Sequence, residues 1–562
     1  MRTYASQPID IPRDLNLTEL LHRTAVPLPE SHIVASDDLT NRSITLGSLR
    51  DRAGRIARGL REHLRPPDQA RWALVLPNSV EFLELSHAIL WTGGVVCPIN
   101  HALTPSEIGH GLAVSRPHFI VAYGPVMADI EAAVNVAAAD LSHQGVEWTF
   151  PTLLSVIQSA SGTIRHIPDD FICSTKLPLP HWPDTSTRLA SIHLSSGTTG
   201  KPKGVQLTHF NFVANVLQLV ALDHDHRIFK PSSRTVAFTP WAHIAMTTAP
   251  LFLGPYTGMF HHAMPRYSMD KFAQLVGSVQ ATSFQGVPSV VLGLANSDVT
   301  ERYDFSRAEV ITVGGAPLKK EQIERLLGRA PWKLVQAYGM TEAAGYVAYQ
   351  AFDEVVPDGS TGRLLPGIEA ALKVEGTVED APLGGPGELW LRGPNITSGY
   401  AFNPKANETA FPTDGWYNTG DVCRIDSHGR LSIVGRTKEL IKYKGFQVSP
   451  SELEQIVNSH PHVREAGVAA LWDESQLTEV PTAWVELENA ESLRHEEVRA
   501  RLKDVQGAVD GQVSGYKRLR GGVWAVKRLP RNATGKILRN ELVRMTDGPS
   551  SLEDGKRFSA RL

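Results

Sequence analysis

The amino-acid sequence predicts an α/β protein on three observations. Helical and extended apolar patterns alternate through the first two thirds of the chain, as parallel sheets with helices on both faces require. From 362 to about 436, glycine and proline come closer together and the apolar runs shorten, which predicts a β-rich subdomain. After Ile441 the pattern is that of a small α/β unit. The 562 residues correspond to three or four domain-sized units at about 150 residues each.

Apolar residues at helical spacing predict a helix over 49–64, and the run 72–77 reads as a buried strand closed by Pro77. Residues 79–90 are predicted to be helical and 95–99 extended. The Pro-, Ser- and Thr-rich stretch 175–187 is a surface connector, and 190–194 a strand that feeds a Gly-rich turn. No Asp, Glu, Lys or Arg occurs between Arg234 and Arg266. Yet Pro240, Pro250, Gly254, Pro255 and Gly258 interrupt that run, and a membrane-spanning helix wants about 20 mainly apolar residues without such breaks. It is predicted to be buried strand, turn and helix in a chain that does not span a membrane.

Apolar residues make up 42% and charged residues 20%, which excludes wholesale disorder. Lys and Arg number 56 against 59 Asp and Glu, a net charge of −3, so no basic footprint marks a nucleic-acid binder. Cys97, Cys173 and Cys423 show neither disulfide-framework nor zinc-ligand spacing, as expected of a reducing compartment. The first 13 residues lack an apolar core and carry Asp10, unlike a secretory signal. There is no internal repeat and no low-complexity tract.

The segment richest in chemistry is Leu194-Ser195-Ser196-Gly197-Thr198-Thr199-Gly200-Lys201-Pro202-Lys203-Gly204-Val205. Its glycines permit tight turns that aim N–H groups inward, and its hydroxyls and lysines add donors for phosphate oxygens. It is not the Walker loop, because no Gly-Lys-Ser/Thr occurs at the required spacing. Such content alone is also that of a surface turn; its place after a predicted strand favours phosphate binding.

Four further segments carry polar chemistry at turns. Gln336-Ala337-Tyr338-Gly339-Met340-Thr341-Glu342 offers an aromatic face, a hydroxyl and a carboxylate, although alone such a segment is more often a strand-turn-helix junction. In Tyr417-Asn418-Thr419-Gly420-Asp421 the Asp can accept two vicinal hydroxyls, or simply make an Asx turn. Leu529-Pro530-Arg531-Asn532-Ala533-Thr534-Gly535-Lys536 places one Lys before a helix. Pro240-Trp241-Ala242-His243-Ile244 holds a lone His in an apolar run, more often a satisfied core residue.

Taken in order from about 49 to 542, these segments resemble the signatures of the adenylate-forming superfamily of acyl- and aryl-CoA ligases, luciferases and peptide-synthetase adenylation domains. The run Gly435-Arg436-Thr437-Lys438-Glu439-Leu440-Ile441-Lys442-Tyr443-Lys444-Gly445-Phe446-Gln447-Val448 closely resembles the coumarate-CoA-ligase branch. The resemblance implies a large N-terminal domain over 1–435, made of two parallel α/β subdomains and a β-rich part over about 362–435. A hinge at 436–438, a small mobile α+β domain over 439–548 and a flexible tail over 549–562 would follow.

The same resemblance implies roles for residues. Ser195, Ser196, Gly197, Thr198, Thr199, Gly200 and Lys203 would hold the phosphates of ATP. Gly315 and Ala316, in Gly314-Gly315-Ala316-Pro317, would line the adenine side, with Gly315 replacing the usual Ala. Tyr338 would lie against adenine beside Gly339, Thr341 would contact the α-phosphate and Glu342 would help hold Mg²⁺, for which carboxylate and phosphate oxygens are suitable hard ligands. Asp421 would bind the ribose, and Arg436 ribose and phosphate. Lys438 would be the hinge. Lys442 and Gln447 would act around the adenylate and in the thioester step. Lys536 would be the catalytic lysine of adenylation, where an ammonium stabilises charge on the attacking carboxylate and bridging oxygens. His243 would gate carboxylate entry and the tunnel for coenzyme A, although Trp241-Ala242 replaces the usual Phe or Tyr beside it. Lys527 stands where relatives often carry an acid.

The expected activity is that of an ATP-dependent acyl- or aryl-CoA ligase: a carboxylic acid is activated as acyl-AMP with release of pyrophosphate, then transferred to coenzyme A with release of AMP. Loading of a carrier protein and a luciferase-like oxygenase reaction are the alternatives. Pocket positions by motif are Ala245, Ala249, Val287, Gly314, Gly339 and Val347, all apolar or small. They suit an apolar aryl or medium-to-long acyl body and give no Asp to an amino acid's ammonium. Ala560-Arg561-Leu562 resembles the Ser-Lys-Leu type of peroxisomal address. That implies an import receptor as partner and a peroxisomal location in a eukaryotic host, and a cytoplasmic one otherwise.

Overall fold

The computed structural model of the chain describes all residues except 158–163, 196–201, 287, 315–319, 329–331, 355–359, 414, 437, 438, 440, 444, 445, 475, 477, 514, 532–535, 553–557 and 559–562. Its first sheet has seven strands in the order Lys203–Thr208, Leu189–Ser195, Val95–Pro98, Arg71–Val75, Phe119–Tyr123, Thr152–Val156, His166–Ile167. All run parallel except Lys203–Thr208, which turns back antiparallel along Leu189–Ser195. The helix expected over 49–64 spans Leu46–Leu64, because Thr45 Oγ1 accepts from the Ser48 N–H and caps it. The helix expected over 79–90 spans Val80–Trp91, capped by Ser79 and buried all round, as a helix between two layers must be.

The second parallel sheet and the β-rich part are one continuous fourteen-stranded sheet. Ile33–Asp37, Phe260–Ala263, Arg234–Ala237, Ser283–Gly286, Val310–Val313 and Lys333–Met340 lie parallel in that order. Lys333–Met340 is the switch: it pairs parallel with Val310–Val313 on one edge and antiparallel with Gly345–Tyr349 on the other. Antiparallel order then continues through Ser360–Leu364, Arg430–Arg436, Tyr417–Ile425, Gly387–Arg392 and Glu369–Lys373. Ligands of α/β proteins bind where parallel strands end, so the C-terminal ends of Arg234–Ala237, Ser283–Gly286, Val310–Val313 and Lys333–Met340 are where a site is expected.

The charge-free run after Arg234 is a strand, Arg234–Ala237, then a turn, a π-helical stretch Thr247–Leu253 and a strand, Phe260–Ala263. Pro250 sits inside the π-helical stretch, which is buried throughout. Proline cannot donate the helical hydrogen bond, and π-turns commonly mark functional sites. No helix of the described residues is long and apolar enough to cross a membrane.

A separate core begins at Ile441 and gathers Leu453, Val468, Trp484, Leu502 and Val523. Here Val463–Asp473 pairs antiparallel with Thr478–Leu487, which lies parallel to Val523–Ala525, and the helices Pro450–Asn458 and His495–Gln512 pack alongside. Ser449 Oγ donates to the Val434 carbonyl at 2.7 Å and ties this unit to the end of the large sheet.

Candidate active site

Tyr338 is buried on the switch strand, and its hydroxyl donates to Asp421 Oδ2 at 2.5 Å. Asp421 reaches that position through a local bulge. Asn418 Oδ1 accepts from the Gly420 N–H, Thr419 Oγ1 accepts from the Asp421 N–H, and Gly420 takes φ +70°. The Asx turn that the sequence offered is present, and it is what sets the position of the Asp421 carboxylate. Across the ladder Asp421 faces Arg436, whose side chain lies outside the described set. Gly339 has no substitute here: a Cβ would stand 1.9 Å from the Gly345 carbonyl oxygen.

A second cluster surrounds Glu342, which is 8% exposed in the 3₁₀ turn Thr341–Ala343. Its Oε1 accepts from the Tyr400 hydroxyl at 3.0 Å, and Tyr400 and Tyr417 share a hydroxyl contact at 3.2 Å. Burial, then the Glu342 carboxylate, pushes both phenols well above their ordinary pKa, so they stay protonated and act as donors. Lys203 Nζ sits 4.8 Å from the Tyr400 ring centroid, a cation over an aromatic face. The backbone holds these parts together. Ala401 N–H donates to Gly204 O at 2.7 Å, Gln206 N–H to Gly399 O at 3.0 Å, and Thr397 N–H to Glu342 O at 2.8 Å.

This cluster fits a nucleotide with magnesium. Ser195 Oγ, at the entry to the phosphate loop, is buried and has no hydrogen-bond partner among the described residues. Among those residues no group of three or more His, Cys, Asp or Glu gathers. One carboxylate completed by phosphate oxygens is the donor set Mg²⁺ accepts. Ser196, Gly197, Thr198, Thr199, Gly200, Gly315 and Ala316 lie outside the described residues.

His243 lies on the turn after Arg234–Ala237. Asn78 builds that turn: its Nδ2 donates to the Thr239 carbonyl at 2.9 Å and its Oδ1 accepts from the Trp241 N–H at 2.7 Å. Trp241 is fully buried, edge-on to Phe82 at 6.1 Å. His243 is exposed to water, yet protein crowds round it and lowers its pKa, as on the wall of a cavity. Ala245 is half-buried, Ala249 and Val347 are buried, Gly314 closes the strand Val310–Val313, and Val287 lies outside the described residues. The apolar or small pocket positions have polar neighbours: Gln285, half-buried at the end of its strand, donates through Nε2 to the Tyr346 hydroxyl at 3.1 Å. Tyr346 stands opposite Gly339 in the ladder.

In the C-terminal unit, Lys536 Nζ stands 3.6 Å from Glu439 Oε1, and Arg539 donates to both oxygens of Glu454 at 2.9 Å. Lys442 and Gln447 are direct cross-strand partners of the hairpin Ile441–Tyr443/Phe446–Val448; their side chains and Lys438 lie outside the described set. The structure therefore joins Lys203, Tyr338, Glu342 and Asp421 with their strands, and places Lys536 beside Glu439. Sequence reasoning missed Asn78, Gln285, Tyr346, Tyr400 and, as a contributor, Tyr417. Tyr417 lay inside a motif already singled out; the others lie outside the motifs.

Comparisons with known proteins agree with this geometry. Residues 22–401 match the model of the AMP-binding enzyme family, and 452–536 that of the AMP-binding enzyme C-terminal domain. The chain is 33% identical to 4-coumarate–CoA ligase-like 9 of Arabidopsis thaliana, with 97% of this chain and 94% of that one covered. It is 31% identical to 4-coumarate–CoA ligase CCL1 of Humulus lupulus, over 84% and 83% of the two chains. ATP-bound MatB from Rhodopseudomonas palustris superposes with a TM-score of 0.79 at 26% identity, over 94% of this chain and 98% of that one. The anthranilate CoA ligase AuaEII shares the fold with a TM-score of 0.81 at 22% identity, over 95% and 97%. The chain belongs to the AMP-binding enzyme family and is an AMP-forming acid–CoA ligase.

Proposed function

We propose that the acid activated here has an apolar aryl or acyl body bearing a hydroxyl. The observation that carries this is the Gln285–Tyr346 hydrogen bond among otherwise small or apolar pocket positions. Once paired, the two side chains still offer at least one donor and at least one acceptor, whichever way the amide is turned. A hydroxyl satisfies both; an ether or carbonyl satisfies only the donor. The relatives named for 4-coumarate support an aryl body.

In this reading Ser195 and Lys203, with the loop between them, hold the phosphates, Tyr338 and Asp421 the nucleoside, and Glu342 the Mg²⁺. Mg²⁺ held there would neutralise phosphate charge. His243 admits the carboxylate, which attacks the α-phosphate to give acyl-AMP and pyrophosphate. Lys536 stabilises the charge that builds on the attacking and bridging oxygens. The thiolate of coenzyme A then attacks the adenylate carbonyl beside the Lys442–Gln447 hairpin, and AMP leaves. Lys438 absorbs the backbone change between the two steps. Ala560-Arg561-Leu562 is read as a peroxisomal address, tested by imaging a fluorescent N-terminal fusion with and without these three residues.

The substrate reading is tested with pairs of acids that differ only by one hydroxyl. The expected result is a kcat/KM for the hydroxylated acid about tenfold or more above that of its partner. Gln285→Leu and Tyr346→Phe should each erase that preference. Equal use of both members of every pair would overturn the reading.

A further inference from the structure

His193 is buried on the strand that delivers the phosphate loop, and nothing above uses it. Its ring bridges two hydroxyls. Nδ1 is 2.6 Å from Ser191 Oγ, and Nε2 is 2.8 Å from Thr247 Oγ1. Ser191 Oγ is also 2.7 Å from the Val96 carbonyl oxygen. Thr247 Oγ1 is 2.8 Å from the Trp241 carbonyl oxygen and 3.4 Å from that of His243. The chain Val96–Ser191–His193–Thr247–Trp241 thus runs from the first sheet to the turn that carries His243.

We propose that His193 is a positioning residue: through Thr247 it holds the Trp241–His243 turn in register with the strand leading into the phosphate loop, and so aligns the incoming carboxylate with the nucleotide.

The proton count gives this bridge a direction. Burial, with His243 nearby, lowers His193 to about 3, so the ring is neutral at physiological pH. A neutral ring and two hydroxyls supply three protons to four contacts, so one end must lack a donor. With the proton on Nε2, His193 donates to Thr247 and Thr247 is free to donate to the Trp241 carbonyl. With it on Nδ1, Thr247 must donate to the ring and the turn loses that bond. The proposal requires the Nε2–H tautomer, in which Ser191 donates to Nδ1 and the Val96 carbonyl is the end left without a donor; the link to the first sheet is then the strand Leu189–Ser195 itself. A side chain with a donor at the Nε2 position should therefore substitute, and an apolar ring should not.

The inference rests on the placement of His243 at the acid pocket, and the experiment separates the two. Steady-state AMP release is measured on the full-length enzyme with an accepted acid, Mg-ATP and coenzyme A. His193→Phe should raise KM for the acid at least tenfold and leave KM for ATP within about twofold. His193→Gln should recover the acid KM to within about threefold of the parent. Thr247→Val, a near-isosteric change, should reproduce the His193→Phe effect, and the double variant should add nothing further. Thr247→Val carries the test should His193→Phe fail to fold.

An unchanged acid KM in Thr247→Val overturns the proposal. So does an equal rise of KM for acid and ATP, or a His193→Gln variant as impaired as His193→Phe, since each marks general loosening. A His243→Ala variant with an unaltered acid KM overturns the placement of His243 instead, and the alignment argument falls with it.

Discussion

Tyr338 and Asp421 stand 83 positions apart in the chain and meet in one buried hydrogen bond of 2.5 Å. The bond joins the last parallel strand of the large sheet to a bulged antiparallel strand of the same sheet. It therefore fixes the distance between the aromatic face and the carboxylate that are proposed to hold the nucleoside.

Removing that bond should weaken nucleotide binding specifically. Tyr338→Phe is expected to raise KM for ATP about tenfold, because a charge-assisted hydrogen bond contributes roughly 1.5–3 kcal/mol. Asp421→Ala should cost more, about a hundredfold, since it also removes the acceptor proposed for ribose. The acid KM should change little in both. Initial-rate kinetics with each substrate varied in turn checks this, and a rise confined to the acid would contradict it.

Glu342 should set the magnesium requirement. Its neighbours Tyr400 and Tyr417 stay neutral, so the carboxylate supplies the formal negative charge in that trio. Glu342→Gln is expected to shift the Mg²⁺ dependence of ATP–pyrophosphate exchange to at least tenfold higher concentration. Tyr400→Phe should shift it far less. An unchanged Mg²⁺ midpoint in Glu342→Gln would remove Glu342 from that role.

Lys536 should serve one half-reaction only. Lys536→Ala is expected to abolish acyl-AMP formation, by roughly a hundredfold or more. It should spare thioester formation from supplied acyl-adenylate and coenzyme A. Single-turnover measurements of each half-reaction decide this; equal loss in both would refute the division of labour.

Stability should fall steeply on mild acidification. His87 and His261 are lowered to about 4, and His193 and His209 to about 3, in each case chiefly by burial. Below pH 6.5 the unfolded chain takes up protons at these rings and the folded chain does not. Each ring therefore removes about 1.4 kcal/mol of stability per pH unit until its folded pKa is reached. The loss begins near pH 6.5 and continues to about pH 4 for His87 and His261, and to about pH 3 for the other two. Tm measured from pH 7.5 to 5 should be flat above pH 7 and then drop; a flat profile throughout would contradict the neutral, buried state of these rings.

What could be read in the sequence was the local chemistry; what could not was long-range register. The strands and helices between 49 and 99 follow from short apolar periodicities and from caps such as Thr45 and Ser79, which lie beside the elements they start. The motif residues Lys203, Tyr338, Glu342 and Asp421 cluster by type at turns, so their chemistry was visible. Tyr400 was not, because long-range backbone contacts bring it to Glu342: the Thr397 N–H on the Glu342 carbonyl and the bridge of Tyr400 to Val205. Gln285 and Tyr346 lie on different strands of one sheet, and an isolated Gln carries no periodic signal. The fusion of the parallel and antiparallel sheets was hidden for the same reason: Lys333–Met340 has one sequence and two different neighbours.

The most direct test of the whole account is AMP release from Mg-ATP, measured by mass-detected chromatography across cinnamates, benzoates, phenylacetate and fatty acids of rising length, with and without coenzyme A. The account predicts acid-dependent AMP that rises when coenzyme A is added, together with the mass of a new acyl-CoA. Adenylate that forms slowly and is indifferent to coenzyme A, with no thioester mass for any acid, would contradict it.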